Sequence, residues 1–219
     1  MIRTKTVHTL IPGSVGAYSV GVGVELLLVM AAYSFVTSVS PGPNNTILLT
    51  LSARFGRSGA TPHLIGMVLG LSTMVIAMSA GLGAFFAAFP TVYEVMKYVG
   101  FAYVLYLAWR IYRAAIPQPG SEGGPPATVW RATLFQWVNP KAWIVIATFV
   151  TAYVPVELGV WSILLALAMF IGFTMPGALV WVVVGSFLTR WLGSPRSQRV
   201  FTTVMAVILV ASMIPVLFL

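Results

Sequence analysis

Cysteine and aspartate are both missing from the 219-residue chain, and its only acidic residues are four glutamates. Without cysteine there can be no disulfide, thiolate metal site or cysteine nucleophile. With no aspartate and two histidines, hard and borderline metal ligands are scarce, and no metal or other cofactor is expected. Charge of either sign is rare: 7% of residues are charged, against roughly 25% in soluble domains, while 59% are hydrophobic and the mean hydropathy is +0.96. Water cannot be the main solvent of such a chain. A net charge of +8 would suggest nucleic acid in a soluble protein, but here the basic residues stand singly between apolar runs, which argues against a nucleic-acid partner. His8 and His63 are poorly placed to serve a buried serine and no metalloprotease motif is present, so the chain is not read as an enzyme.

What the chain has in quantity is uncharged length. A bilayer crossing takes roughly 20 apolar residues, and six intervals qualify: about 22–53, interrupted at 40–44, then 61–89, 93–112, 132–155, 158–189 and 200–219. The expected fold is all-α and integral to a membrane, with six transmembrane helices and the lipid bilayer as a partner. No charge falls between Arg57 and Glu94, or between Glu157 and Arg190. Glu94 and Lys97, three residues apart, are expected to pair on one helix face. Residues 1–21 lack the compact apolar core of a signal peptide and read as a flexible tail before a membrane domain at 22–219. Alternate threading places Arg54, Arg57, Arg110, Arg113, Arg131, Arg190, Arg196 and Arg199 on one side, eight of the twelve basic residues. That side should be cytoplasmic, with both termini outside. The Pro/Gly-rich stretch 114–130 divides the domain into halves at 22–113 and 131–219. Each half has three helices, an odd number, so the halves should insert in opposite senses as a 3+3 inverted-topology repeat with broken helices 1 and 4.

Polar groups fall where they are costly. Ser40-Pro41-Gly42-Pro43-Asn44-Asn45 interrupts the first span, because proline removes backbone donors and glycine lowers helix propensity. Asn44 lies ten residues before Arg54, or roughly 15 Å along a helix. Asn139-Pro140-Lys141 repeats the pattern in the fourth span, with Lys141 ten residues after Arg131. Unwound backbone at such depth is tolerated only when packed against protein or lining a wet cavity, so the breaks are expected to face each other. A lysine at a helix centre costs about 2.5–3.5 kcal/mol on insertion scales and normally faces a partner or aqueous path. The competing account makes the breaks packing kinks whose freed carbonyls are capped by asparagine amides, and lets Lys141 snorkel to a headgroup. Gly66-x-x-x-Gly70 reads as a close helix contact, and Pro176-Gly177 as a kink or a gate hinge. His63 is expected at the interface, away from the breaks, with a proton relay as the alternative. Glu25 reads as a solvated terminus and the tryptophans as interfacial belts or packing.

Three segments carry a family resemblance. Ser40-Pro41-Gly42-Pro43-Asn44, followed by Arg54-Phe55-Gly56-Arg57, resembles the most characteristic segment of the lysine-exporter (LysE/RhtB-type) translocators of bacterial inner membranes. Gly100-Phe101-Ala102-Tyr103-Val104-Leu105-Tyr106-Leu107-Ala108-Trp109-Arg110 is similar to that family's glycine, tyrosine, leucine and tryptophan pattern, and Asn139-Pro140-Lys141-Ala142 to the opening of its second half. The likeness covers about 24–219. It implies six helices in a multi-pass inner-membrane protein that exports amino acids or related small metabolites, driven by the proton gradient. Pro41, Gly42, Pro43, Asn44 and Asn45 would then form one substrate-binding element, and Asn139, Pro140 and Lys141 its counterpart. Helix ends and freed carbonyls would bind a zwitterion, with Lys141 holding its carboxylate or a protein acid and able to carry the proton. Homo-oligomers are compatible with this scheme. Export of inorganic cations is the second choice, since ligands for them are few, and a scaffold role would leave Lys141 without a purpose.

Overall fold

The computed structural model describes residues 23–113, 128–155 and 158–217, and among them every regular element is helical. The expected tail at 1–21, residues 114–127 of the expected linker, and Glu157 lie outside the described residues.

Helix α1 spans Val24–Val39 and stops where Ser40-Pro41-Gly42 turns the backbone extended. Helix α2, Pro43–Ala77, begins with proline at its first position, where a missing N–H leaves no hydrogen bond unmade. Gly56, at φ 72 and ψ −177, takes a conformation open to glycine and divides α2 into segments 43–55 and 57–77. A straight helix would carry His63 roughly 28 Å past Asn44, yet the two side chains lie 3.4 Å apart. The chain therefore doubles back at Gly56. A wide turn at Met78–Leu82, with Gly81 at φ 106, leads into α3, Gly83–Ala88. Helix α4 covers Pro90–Arg113. Helices α5 (Val129–Val138) and α6 (Pro140–Tyr153) are separated by Asn139 alone. Helix α7, Val160–Leu188, runs through Pro176 without interruption and ends in a tight turn at Thr189–Trp191. A Ser194/Ser197 capping box opens α8 (Pro195–Ala211), and α9 covers Ile214–Leu217.

The helical stretches Pro43–Ala88 and Val160–Trp191 are long and apolar enough to cross a membrane by length and composition. Around the outside, Val24, Leu28, Trp130, Val160, Trp161 and Trp191 are each more than 60% exposed. So much apolar surface suits lipid contact and would be a liability in water. Inside, Met30, Leu48, Met74, Ile146 and Phe149 are wholly buried and form the main core with Trp143 and Phe170. A second core joins Val104 and Ala108 of α4 to Phe135 of α5, Leu209 of α8 and Met213 just beyond it.

Close backbone approaches fix the helix pairs. A Cβ on Gly66 would strike the Val129 carbonyl and Ala132, and one on Gly70 would strike Gln136 and Thr133, so α2 and α5 meet as the Gly-x-x-x-Gly spacing predicts. The numbers rise together along both helices, so segment 57–77 runs parallel to α5. Gly177 similarly admits Ser38, and Gly185 admits the backbone of Leu49, which packs α7 parallel to α1 and segment 43–55. At the far end of this pair Thr189 Oγ1 donates to the Ala53 carbonyl (3.1 Å) and Arg57 Nε to Ser186 Oγ (3.1 Å). Arg54, Arg57 and Arg190 thus share one end of the bundle. The expected Glu94–Lys97 pair forms at 3.0 Å.

Candidate functional site

Both interrupted helices resume in the same way, with proline at the first helical position and a polar residue directly after it: Pro43-Asn44 in α2 and Pro140-Lys141 in α6. Each of these polar residues reaches the other interruption. Lys141 Nζ donates to the Pro41 carbonyl (2.6 Å) and Ser40 Oγ (2.8 Å), with the Ser40 carbonyl at 3.5 Å. The ammonium therefore sits at the C-terminal end of α1, where carbonyls are unpaired and the helix dipole is negative. Gly42 makes this possible. A Cβ there would lie 2.7 Å from Nζ and 3.0 Å from Cδ, and since the Gly42 backbone is extended, what the position needs is space. In the opposite direction Asn44 Nδ2 donates to Gln136 Oε1 (2.7 Å) while Gln136 Nε2 donates to Asn44 Oδ1 (2.9 Å), closing a ring of two amides. Gln136, wholly buried, also donates to the Ala132 carbonyl (2.9 Å).

The other two asparagines turn inward on the backbone. Asn45 Nδ2 donates to the Ser38 (2.6 Å) and Ser40 (2.7 Å) carbonyls, covering the acceptors that the end of α1 leaves open. Asn139 Oδ1 accepts from the Lys141 amide (3.2 Å) and caps α6. For this pair the capping account of the breaks describes the geometry, whereas Asn44 and Lys141 reach across to the facing helix. Pro41 contributes its carbonyl, and Pro43 and Pro140 set where the second segments start.

Two details depart from expectation. His63 is neither interfacial nor remote: it is 3% exposed, and its Nε2 lies 3.4 Å from Asn44 Oδ1. The reversal at Gly56 brings it back beside the first break. Lys141 meets no acid among the described residues, and backbone carbonyls and a hydroxyl hold it instead. Gln136 was not singled out in sequence, and Ser40 only as the opening of the first break, although a glutamine inside an apolar span is itself a signal, because its amide needs partners that lipid cannot supply.

The breaks enclose a cavity of about 60 Å3, space for a few waters, lined by Ser38, Asn44, Lys141, Met67, Phe170 and Thr174 among others. Among the described residues no group of three or more His, Cys, Asp or Glu side chains could hold a metal ion.

A family model described as LysE type translocator matches residues 35–216, which include both breaks. The chain belongs to the LysE type translocator family. Among curated relatives, the cysteine/O-acetylserine efflux protein of Escherichia coli (strain K12) is 28% identical over 170 residues, covering 75% of this translocator and 85% of that protein. The proteins of the same name from Shigella sonnei (strain Ss046) and Shigella flexneri show the same identity and coverage. No solved structure matches this translocator.

Proposed function

We propose that this LysE type translocator is a secondary active exporter of amino acids or related small metabolites across the bacterial inner membrane, coupled to the proton gradient, with its site at the facing breaks. The observation that carries this reading is the seating of Lys141 Nζ on the Pro41 carbonyl and Ser40 at the end of α1. An α-carboxylate would compete for that ammonium, and the released carbonyls would accept the α-ammonium of the same zwitterion. Binding and rearrangement of the break are then one event, as alternating access requires.

The reciprocal contacts support six spans in a 3+3 inverted repeat. Asn44 reaches four residues before Pro140, and Lys141 reaches two and three residues before Pro43. The parallel packing of α2 segment 57–77 on α5 and of α1 on α7 agrees with alternate threading of those spans. For the proton, the titratable side chains at the site among the described residues are Lys141 and His63, and none of the described residues lining the cavity is a carboxylate. A cation as cargo is disfavoured by the same wall, which offers an ammonium and no acid.

The test is counterflow of labelled amino acids in proteoliposomes. Lys141→Ala, inserted normally and monodisperse on gel filtration, should lose at least about tenfold in flux, the scale of a hydrogen bond to a charged group. Full activity of that variant would reject the site. Flux indifferent to an imposed pH gradient would reject the coupling.

A further inference from the structure

Nearly every polar side chain on the cavity wall is already engaged within the protein. Asn44 is held by Gln136, Asn45 by the end of α1, Ser38 by the Phe35 carbonyl and Lys141 by Ser40 and Pro41. Thr174 differs. It is 8% exposed, lines the cavity from α7, and its Oγ1 has no hydrogen-bond partner among the described residues. The threonines Thr37, Thr50, Thr133 and Thr151 each donate to the carbonyl four residues back in their own helix. A buried hydroxyl without a partner is destabilising; Ser79 Oγ and Trp181 Nε1 are also unpaired among the described residues but do not line the cavity, whereas Thr174 does, so the group that can pair with it arrives through the cavity. Its neighbours one turn either way, Phe170 and Ala178, also line the cavity, so α7 presents an aromatic, a hydroxyl and a small residue in a row along one face.

We propose that this strip of α7 reads the substrate's side chain, with Thr174 Oγ1 as its hydrogen-bonding group, and that the class admitted is amino acids with small, uncharged side chains bearing a polar atom. The assignment rests on the exporter function proposed above and specifies its cargo. Basic amino acids are excluded, because the described residues of the wall include the Lys141 ammonium and no carboxylate, leaving a second cation buried without a counter-charge. Large side chains are disfavoured by Phe170, which stands one turn from Thr174 on the same wall. Serine is favoured over alanine because its hydroxyl pairs with Thr174, and the whole of that preference lies at one atom.

Counterflow of serine, alanine and lysine through the wild-type protein, Thr174→Val and Thr174→Ser tests this. Wild type should carry serine about five- to tenfold better than alanine, as one buried hydrogen bond allows, and should not carry lysine. Thr174→Val should bring the serine-to-alanine flux ratio down to about one, with folding checked separately by membrane insertion and a monodisperse gel-filtration peak. Thr174→Ser should keep the serine preference. An unaltered serine-to-alanine ratio in Thr174→Val, or lysine flux comparable to serine in wild type, overturns the assignment while leaving the exporter function intact. Wild-type protein that moves none of the three overturns the assignment, and the exporter function falls with it only if a full panel of labelled amino acids and O-acetylserine is also not moved.

Discussion

The amide ring between Asn44 and Gln136 ties segments 92 residues apart, and its worth can be measured by a double-mutant cycle. Gln136→Leu keeps the side-chain volume but deletes both bonds to Asn44 and the bond to the Ala132 carbonyl. The Asn44 Nδ2 donor loses its partner, while Oδ1 retains His63 at 3.4 Å. In water-soluble proteins an orphaned buried donor costs about 1–3 kcal/mol. Interhelical hydrogen bonds in membrane proteins average only ~0.6 kcal/mol and reach ~1.7. The membrane scale applies, because Asn44 is half-buried beside the cavity and water there can take up its donor. Each single variant, Asn44→Leu or Gln136→Leu, should therefore lose about 1 kcal/mol, and the double variant about the same rather than the sum. The assay is unfolding in detergent micelles by titration with a denaturing surfactant. Thermal melts give a second measure, with about 2–4 °C expected per kcal/mol for a chain of this length. If the single losses add in full in the double variant, the two amides are uncoupled and the ring is not a structural tie.

Two substitutions at glycine separate function from folding. Gly42→Ala should leave stability within about 0.5 kcal/mol, since its backbone is extended and alanine lowers unfolded-state entropy. It should nevertheless cut flux severalfold in counterflow, because the new methyl displaces Lys141 Nζ from Pro41. Gly70→Val meets the backbone carbonyl of Thr133 and the Gln136 side chain, neither free to retreat, and should destabilise by about 1–3 kcal/mol in the same titration as overpacking does.

Features that depend on neighbouring residues were legible in sequence. The prolines at 41, 43 and 140 announce the breaks, Lys141 announces its depth by charge, and Gly66/Gly70 and Glu94/Lys97 announce contacts by helical spacing. The all-helical fold and the family follow from such signals. Features set by distant segments were not. Whether an asparagine caps its own backbone, like Asn45 and Asn139, or bridges to another helix, like Asn44, depends on which carbonyls happen to be open nearby. His63 moves from the expected interface to the break because a single residue, Gly56, adopts a positive φ and folds the helix back. Thr174 is one of several threonines in apolar spans, and what sets it apart is a missing hydrogen bond, which has no trace in composition or period.

The order of the contacts along the chain bears on how the protein is made. Ser40 and Pro41 leave the ribosome about a hundred residues ahead of Lys141, so when the lysine is handed to the bilayer its acceptors have already been delivered there. Asn44 has the opposite history and awaits Gln136 through 92 residues of synthesis. During that interval Asn44 has only His63 beside its amide, and the arrival of α5 completes a tie that α2 alone can only begin.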